Sequence, residues 1–279
     1  MKLDSVGFIG GGNITQAIAG GLLDNGFDPK LLSVAEPHKP QRDKLAESLQ
    51  HVFVTADNSA VVARSSCLVL AVKPQILATV CQDLAPSVQA AKPLIISIAA
   101  GPRIDDIDTW LGGNNAIIRV MPNQPALLGK GVSGIFGNAV TSDAQMTAAR
   151  KILSAVGPVI AVHAESDIDA VTAVSGSGPA YFYLLIDMIA KTGVELGLNT
   201  DAATQLAVET ALGAATLAKS SGETMDDLIA HVRSPGGTTA AALDSLEDSG
   251  IRDIFMTALT AARDRATELA DQAHENTQD

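Results

Sequence analysis

The sequence predicts two domains of different class: an α/β domain with a mostly parallel sheet over residues 1–163, then an all-α domain over 164–279. Three observations carry this. From Ser5 to about His163, short β-branched runs alternate with longer amphipathic segments, the pattern of βαβ units joined by right-handed crossovers. A glycine-rich turn follows the first of those runs. After Ala164 the strand signals stop and long Ala-rich segments take over. A chain of 279 residues accommodates two domains of ordinary size.

The strand candidates, in order, are "SVGFIG", "LLSVAE", "HVFVTA", "CLVLAV", "LIISIAA", "AIIRVM", "GVSGIF" and "PVIAV". The nearly continuous apolar character of "CLVLAV" and "LIISIAA" fits central strands covered on both faces. In the second half, "SGPAYFYLLIDMIAKTGVELG" opens with Ser177 and Pro179 and stops at Gly197, the asymmetry of a single helix. A further helix is expected over Asp201–Ser220, with Ala207, Ala211, Ala214 and Ala218 on one face. Tyr181, Phe182, Leu184, Leu185 and Met188 offer more apolar surface than one helical layer covers, so the chain is expected to self-associate. The polar tail from Asp271 to Asp279 is expected to be disordered.

Composition excludes several functions. A net charge of −12 without any Lys/Arg run repels phosphate backbones and anionic membranes, so neither nucleic acid nor a membrane is expected as a partner. No apolar stretch approaches 18 residues and the N-terminus has no secretory or transit pattern, which gives a cytoplasmic expectation. Cys67 and Cys81 lack CxxC spacing and read as reduced core thiols. His38, His51, His163, His231 and His274 show no zinc-ligand spacing, and no metal is expected.

"VGFIGGGNITQAIAGG" places Gly10, Gly12 and Thr15 at the first strand-to-helix turn, where the GxGxxG/A dinucleotide fingerprint of a Rossmann-type domain stands. Gly10 allows the tight turn, and Gly12 lets the backbone approach a pyrophosphate at the helix start. Thr15 stands where Gly or Ala is usual, which weakens close helix–strand packing. Glu36, ending the second strand, suits the adenosine ribose diol and disfavours a 2′-phosphate, although Lys39 and Arg42 follow within a turn. Coenzyme choice stays open between NADP(H) and NAD(H). "AVKP" (Ala71–Pro74), "IAAG" (Ile98–Gly101) and "VMPN" (Val120–Asn123) punctuate later strands at what should be the same sheet edge. Near the C-terminal end, "SPGGTT" (Ser234–Thr239) interrupts helical sequence. It reads either as a carboxylate hook at a helix start or as an ordinary cap.

Together, "FIGGGN" (Phe8–Asn13), "AVKP", "SIAAG", "MPN", "AVSGSGPAYFY" (Ala173–Tyr183) and "SPGGTT" resemble the pyrroline-5-carboxylate reductase family, in that family's order over nearly the whole chain. The resemblance implies a nicotinamide coenzyme domain, an all-α C-terminal dimerisation domain, and active sites shared between subunits of a homodimer or higher homo-oligomer. It implies NAD(P)H-dependent reduction of the imine Δ1-pyrroline-5-carboxylate to L-proline. By position, it implies coenzyme contacts at Ile9, Gly10, Gly11, Gly12, Asn13, Ile14, Asn58, Ala71, Val72, Lys73, Pro74, Ile98, Ala99 and Ala100. Substrate contacts would be Glu165, Gly237, Thr238 and Thr239, with Ser175, Gly176, Ser177 and Gly178 shaping the pocket and the Thr239 hydroxyl engaging the imine. Gln124, His231 and Arg233 depart from the family pattern, as do Thr15 and Glu36.

The absence of a GxSxG elbow around "SGSGP" disfavours acyl transfer. Hydride addition to an imine needs orientation rather than a metal or strong base. Two alternatives remain: a β-hydroxyacid-type dehydrogenase with Lys191 as acid or base, and a non-enzymatic dinucleotide sensor.

Overall fold

A computed structural model describes residues 5–275. The chain divides into two compact units, Met1–Ser177 together with Ala262–Asp279, and Gly178–Ala261. The change of periodicity near residue 164 therefore marks where strands end, and compactness divides the chain 14 residues later, with the C-terminal stretch counted in the first unit.

The first unit carries eight strands among the described residues: β1 (Val6–Ile9), β2 (Leu32–Ala35), β3 (Phe53–Thr55), β4 (Cys67–Leu70), β5 (Leu94–Ser97), β6 (Ile117–Met121), β7 (Ser133–Gly137) and β8 (Val159–Ala161). Every strand candidate in the sequence is a strand. They form one sheet in the order β3-β2-β1-β4-β5-β6-β7-β8, parallel throughout except at the β6–β7 pair. That exception has a plain cause. Parallel neighbours need a crossover of about a dozen residues, usually helical. Only a short 3₁₀ turn, Gln124–Leu128, lies between β6 and β7.

The helices of this unit are α1 (Asn13–Asp24), α2 (Lys39–Ser48), α3 (Asn58–Val62), α4 (Pro74–Ala91), α5 (Ile104–Trp110), α6 (Asp143–Leu153) and α7 (Asp167–Val171). Strand side chains alternate between two cores. Val6, Phe8, Cys67, Val69, Leu94 and Ile96 face one, while Ile9, Leu68, Leu70 and Ile95 face the other. Both sheet faces are thus covered, which explains why the central strands read as unbroken apolar runs.

The second unit is helical: α8 (Gly178–Glu195), α9 (Thr200–Ser221), α10 (Met225–Val232), α11 (Thr238–Asp248) and the start of α12 (Ile251–Glu275). Asn199 caps α9 by accepting from the Ala202 amide at 2.8 Å, and Gly222 ends it at φ +74°. α8 and α9 pack closely, since a Cβ on Gly193 would stand 3.2 Å from that of Ala203. In this unit only the small residues Gly178, Ala203, Ala207 and Ala240 are buried. Large apolar side chains such as Leu184, Met188 and Ile254 stay more than half exposed. A groove of about 300 Å³ runs between Tyr181, Leu184, Leu185 and Met188 on α8 and Ile254 and Phe255 on α12.

α12 continues to Glu275, so residues 271–275 of the tail are ordered helix, contrary to the composition-based expectation; residues 276–279 lie outside the described residues. Contacts within the first unit account for this. Ala270 is fully buried, Asp271 pairs with Arg103 at 2.6 Å, and His274 meets Asp106 at 2.5 Å. No described helix is long and apolar enough to cross a membrane. Among the described residues no three His, Cys, Asp or Glu side chains gather as metal ligands.

Both cysteines are buried. Burial pushes the Cys67 thiol far above its ordinary value and the Cys81 thiol up to about 12. At pH 8 only about one Cys81 thiol in ten thousand is then ionised, and the thiolate is the reactive form. The folded protein should consume no iodoacetamide at pH 8, and unfolding in guanidinium should release two reactive thiols. Rapid labelling of either cysteine without denaturant would contradict this burial.

Candidate functional site

The parallel arrangement places the carboxyl ends of β2, β1, β4 and β5 side by side along one sheet edge. The strand order reverses between β1 and β4, and ligands of open α/β sheets bind at such a switch point. The glycine loop (Gly10–Gly12), Glu36, Ala71–Pro74 and Ile98–Ala100 are therefore neighbours along one edge. Backbone hydrogen bonds tie these exits together: Gly10 N to Ala35 O at 2.9 Å, Ala71 N to Ile9 O at 2.8 Å and Ile98 N to Leu70 O at 3.1 Å.

Gly10 has φ +100°, and a Cβ there would stand 2.8 Å from the Ala71 carbonyl oxygen, so only glycine fits. Gly12 is the N-cap of α1, without a side-chain cap, and a Cβ there would meet nothing within 4 Å. The amides of Asn13 and Ile14 begin a helix with open space before them. This is the geometry that admits a diphosphate. Thr15 behaves otherwise than its departure from Gly or Ala suggests. It is fully buried, and its hydroxyl donates to Gly10 O at 2.7 Å, so it locks the turn from within.

Glu36 has a second task that the sequence did not reveal. Its Oε2 accepts from Gly11 N at 3.0 Å and its Oε1 from His38 N at 2.9 Å, so the carboxylate holds the glycine loop. Gln41 Nε2 braces the same loop by donating to Gly11 O at 2.9 Å. The nearby cations are engaged elsewhere. Lys39 pairs with Asp43 at 2.7 Å, and Arg42 Nη1 donates to the carbonyls of Glu36 and Pro37 at 2.8 and 2.9 Å. Lys73 caps the start of α4 by position only, with no side-chain hydrogen bond, and Pro74 opens that helix. Asn58 is the first residue of α3, next to Asp57, whose carboxylate caps that short helix.

Glu165 lies between β8 and α7 with one of its carboxylate oxygens engaged. Oε1 accepts from Ile104 N at 2.8 Å and from Arg119 Nη1 at 3.2 Å. Arg119, on β6 and 3% exposed, did not stand out in the sequence. A single arginine in an apolar strand was its only signal. Ser175 and Gly176 lie in a π-helical turn, Thr172–Gly176, a rare form often found at functional sites. Ser177 follows it, and Gly178 begins α8.

In the second unit, "SPGG" forms a turn closed by Gly237 N donating to Ser234 O at 3.0 Å. Pro235 at its second position and Gly236 at its third, with φ +70°, match a type II turn. The Gly237 amide is thereby spent inside the turn and is not available to a ligand. The first intrahelical bond of α11 runs from Ala241 N to Gly237 O at 3.1 Å. The amides left at the uncapped start are those of Thr238, Thr239 and Ala240, and Ala240 was not foreseen. His231 and Arg233, both exposed, pair with Glu223 and Asp244 at 3.3 and 2.5 Å. Lys191 pairs with Asp187 one turn away on an exposed face, as a solvated helical lysine does.

Comparison with known proteins agrees with this layout. A family model described as pyrroline-5-carboxylate reductase dimerisation matches residues 165–269, and one described as NADP oxidoreductase, coenzyme F420-dependent, matches residues 5–101. A pyrroline-5-carboxylate reductase of Pseudomonas aeruginosa is 43% identical over 98% of this chain and 99% of its own. The structure of a pyrroline-5-carboxylate reductase from Coxiella burnetii is 38% identical, with a TM-score of 0.93 over 96% of this chain and 99% of that one. That of the Plasmodium falciparum pyrroline carboxylate reductase with NADP bound is 29% identical, with a TM-score of 0.83 over 97% of this chain and 99% of its own. With a glycine loop at its sheet edge and relatives matched from end to end, the chain belongs to the pyrroline-5-carboxylate reductase family.

Proposed function

We propose that the chain reduces the C=N bond of Δ1-pyrroline-5-carboxylate to give L-proline, using NAD(P)H, as the reductive step of proline biosynthesis. Family membership along nearly its whole length is the observation that carries this reading. In this account residues 1–163 hold the coenzyme, and 164–279 form the dimerisation and substrate domain of a cytoplasmic homo-oligomer.

When bound, the reduced nicotinamide supplies the hydride that adds to the imine carbon. The protein's part is to bind and orient. Ile9–Ile14 offer backbone to the diphosphate, while Glu36 and Asn58 face the adenosine side. Ala71–Pro74 and Ile98–Ala100 form the remaining coenzyme wall. At α11, the Thr238, Thr239 and Ala240 amides and the positive end of the helix hold the substrate carboxylate. The Thr239 hydroxyl is too weak an acid to protonate a base at neutral pH. It holds the imine nitrogen by a hydrogen bond, and the proton that ends on nitrogen is either already present on the imine or comes from water. Ser175–Gly178 shape the pocket, with Glu165 as a further substrate contact. Lys191, committed to Asp187, is poorly suited to the acid–base work of a hydroxyacid dehydrogenase.

Addition of pyrroline-5-carboxylate should lower NADPH absorbance at 340 nm, and short hydroxyacids with NADP+ should not raise it. A hydrogen bond that strengthens as hydride arrives is worth about 1 to 3 kcal/mol. Thr239→Ala should therefore reduce kcat/KM by roughly 10- to 100-fold and keep the NADPH Kd within about twofold, while Thr239→Ser recovers much of the loss. Intact turnover in the alanine variant would reduce the turn to a helix cap.

For the coenzyme, charge repulsion at a surface contact amounts to about 1 to 4 kcal/mol; against it stands the charge of Arg42, whose Nη1 donates to the Glu36 carbonyl at 2.8 Å, while Lys39 is paired with Asp43. Glu36→Ala should shift the kcat/KM ratio toward NADPH and, by freeing the Gly11 amide, weaken NADH binding as well. An unchanged ratio would mean that Glu36 acts on the loop alone.

The exposed apolar faces of α8, α9 and α12 need a covering partner, and a second copy of this chain is proposed. Light scattering of the active enzyme should give at least twice the chain mass of 28.7 kDa. An active species of one chain mass would remove this claim.

A further inference from the structure

Arg119 presents a problem of placement. It sits in β6 between Ile118 and Val120, in a largely apolar sheet, with a side chain 3% exposed. Its guanidinium engages two carboxylates, Glu165 at 3.2 Å and Asp169 at 3.3 Å, and donates through Nη2 to the Gly101 carbonyl at 3.1 Å. Its Nε is buried without a partner, as is the hydroxyl of Ser97, the residue paired with Arg119 across the β5–β6 ladder. Buried ion clusters gain little stability over well-packed apolar side chains, and unpartnered buried donors cost stability. Folding stability alone is therefore a poor reason for an arginine here.

Its contacts suggest another reason. Gly101 ends the turn that leaves β5, and its φ of +102° turns its carbonyl to the guanidinium. Among the described residues, that bond is the single hydrogen bond made by the backbone of Ala99–Pro102. Directly before it lie Ile98, Ala99 and Ala100, the proposed coenzyme contacts. The other arms of the cluster anchor it. Glu165 also accepts from Ile104 N, at the start of α5, and Asp169 Oδ2 accepts from the Thr267 hydroxyl of α12 at 3.1 Å. The planar fork of arginine spans three acceptors at fixed angles, which the point charge of lysine cannot do.

We infer that Arg119 is a positioning residue for the coenzyme: through the Gly101 carbonyl it fixes the Ile98–Gly101 turn in the shape that receives NAD(P)H, and Glu165, Asp169 and Thr267 hold Arg119 in place. This inference rests on the functional reading above.

The test is titration of the purified chain with NADPH, followed by its fluorescence, alongside thermal melting and steady-state kinetics. Arg119→Lys keeps the charge but loses the fork. Its NADPH Kd should rise about tenfold, the loss of one charge-assisted hydrogen bond. Thr267→Val, which removes only the hydroxyl that orients Asp169, should raise the Kd by a smaller factor of about two to three, and it decides the matter should Arg119→Lys not fold. A lowered melting temperature with an unchanged Kd, in Arg119→Lys or, failing that, in Thr267→Val, would make the cluster purely structural and overturn the inference. If the unmodified chain leaves NADPH fluorescence unchanged, the functional reading itself falls, and this inference falls with it.

Discussion

A methyl group at Gly10 would collide with the Ala71 carbonyl at 2.8 Å, in a backbone conformation, φ +100°, that side chains rarely adopt. That constraint governs much of the first unit. Gly10 must be glycine because β1 and β4 are adjacent, and they are adjacent because the strand order reverses there. The same tight exit starts α1 only three residues after Gly10. Thr15, inside the first turn of that helix, returns its hydroxyl to Gly10 O and closes the unit from strand end to helix start. Glu36, Gln41 and Gln16 then fix Gly11 from outside. Little freedom is left in the loop, so little ordering entropy remains to be lost when a diphosphate arrives.

The strands and the principal helices were legible in the sequence because their signals are local: β-branched runs for strands, and Ser/Pro starts with glycine stops for α8. What was illegible depends on meetings between distant residues. Glu36 could be read as a ribose ligand from its place in the chain, but its bond to Gly11, 25 residues away, is a tertiary fact. The ordered end of α12 looked like a polar tail because Asp271 and His274 are polar, and their partners Arg103 and Asp106 lie 168 positions upstream. Arg119 had one weak local signal, an arginine in an apolar strand, and its partners Glu165 and Asp169 lie 46 and 50 residues away. That "SPGGTT" is a turn opening a helix could be read from residue types, but which amide remains free depends on the turn closing through Gly237, and residue types alone do not fix that.

The second unit follows a different physical rule. Its buried residues are alanines and glycines, so its helices approach closely but bury little apolar area per residue. At about 25 cal/mol per Å², such a layer gains little by itself. Leu184, Met188, Leu206, Leu212 and Ile254 remain exposed, and a layer built in this way completes its core only against another surface. The small-residue stripe and the large exposed side chains are therefore two aspects of one design. The first brings the helices of a chain together, and the second leaves an apolar face for a partner.

An acidic chain that is proposed to bind two anionic molecules must place positive potential locally, since its net charge of −12 opposes both. The helix starts show how backbone can do this. α3, α6, α9 and α10 begin with Asp57, Ser142, Asn199 and Thr224, whose side chains accept from the first free amides. α1 and α11 begin with Gly12 and Gly237 and have no such cap. Omitting a cap costs about 1 kcal/mol, and α2, α4 and α7 also lack one, so a missing cap does not by itself mark a site. At α1 and α11 the omission leaves amides and the positive end of the helix dipole open to a ligand. Of the cations close to these sites, Lys39, Arg42 and Arg233 are turned to carboxylates or carbonyls of the protein itself, while Lys73, at the start of α4, makes no side-chain cap bond. Anion recognition proposed for this chain thus falls largely to peptide groups, whose partial charges neither titrate nor need a counter-ion, and glycine is the residue that leaves them uncovered.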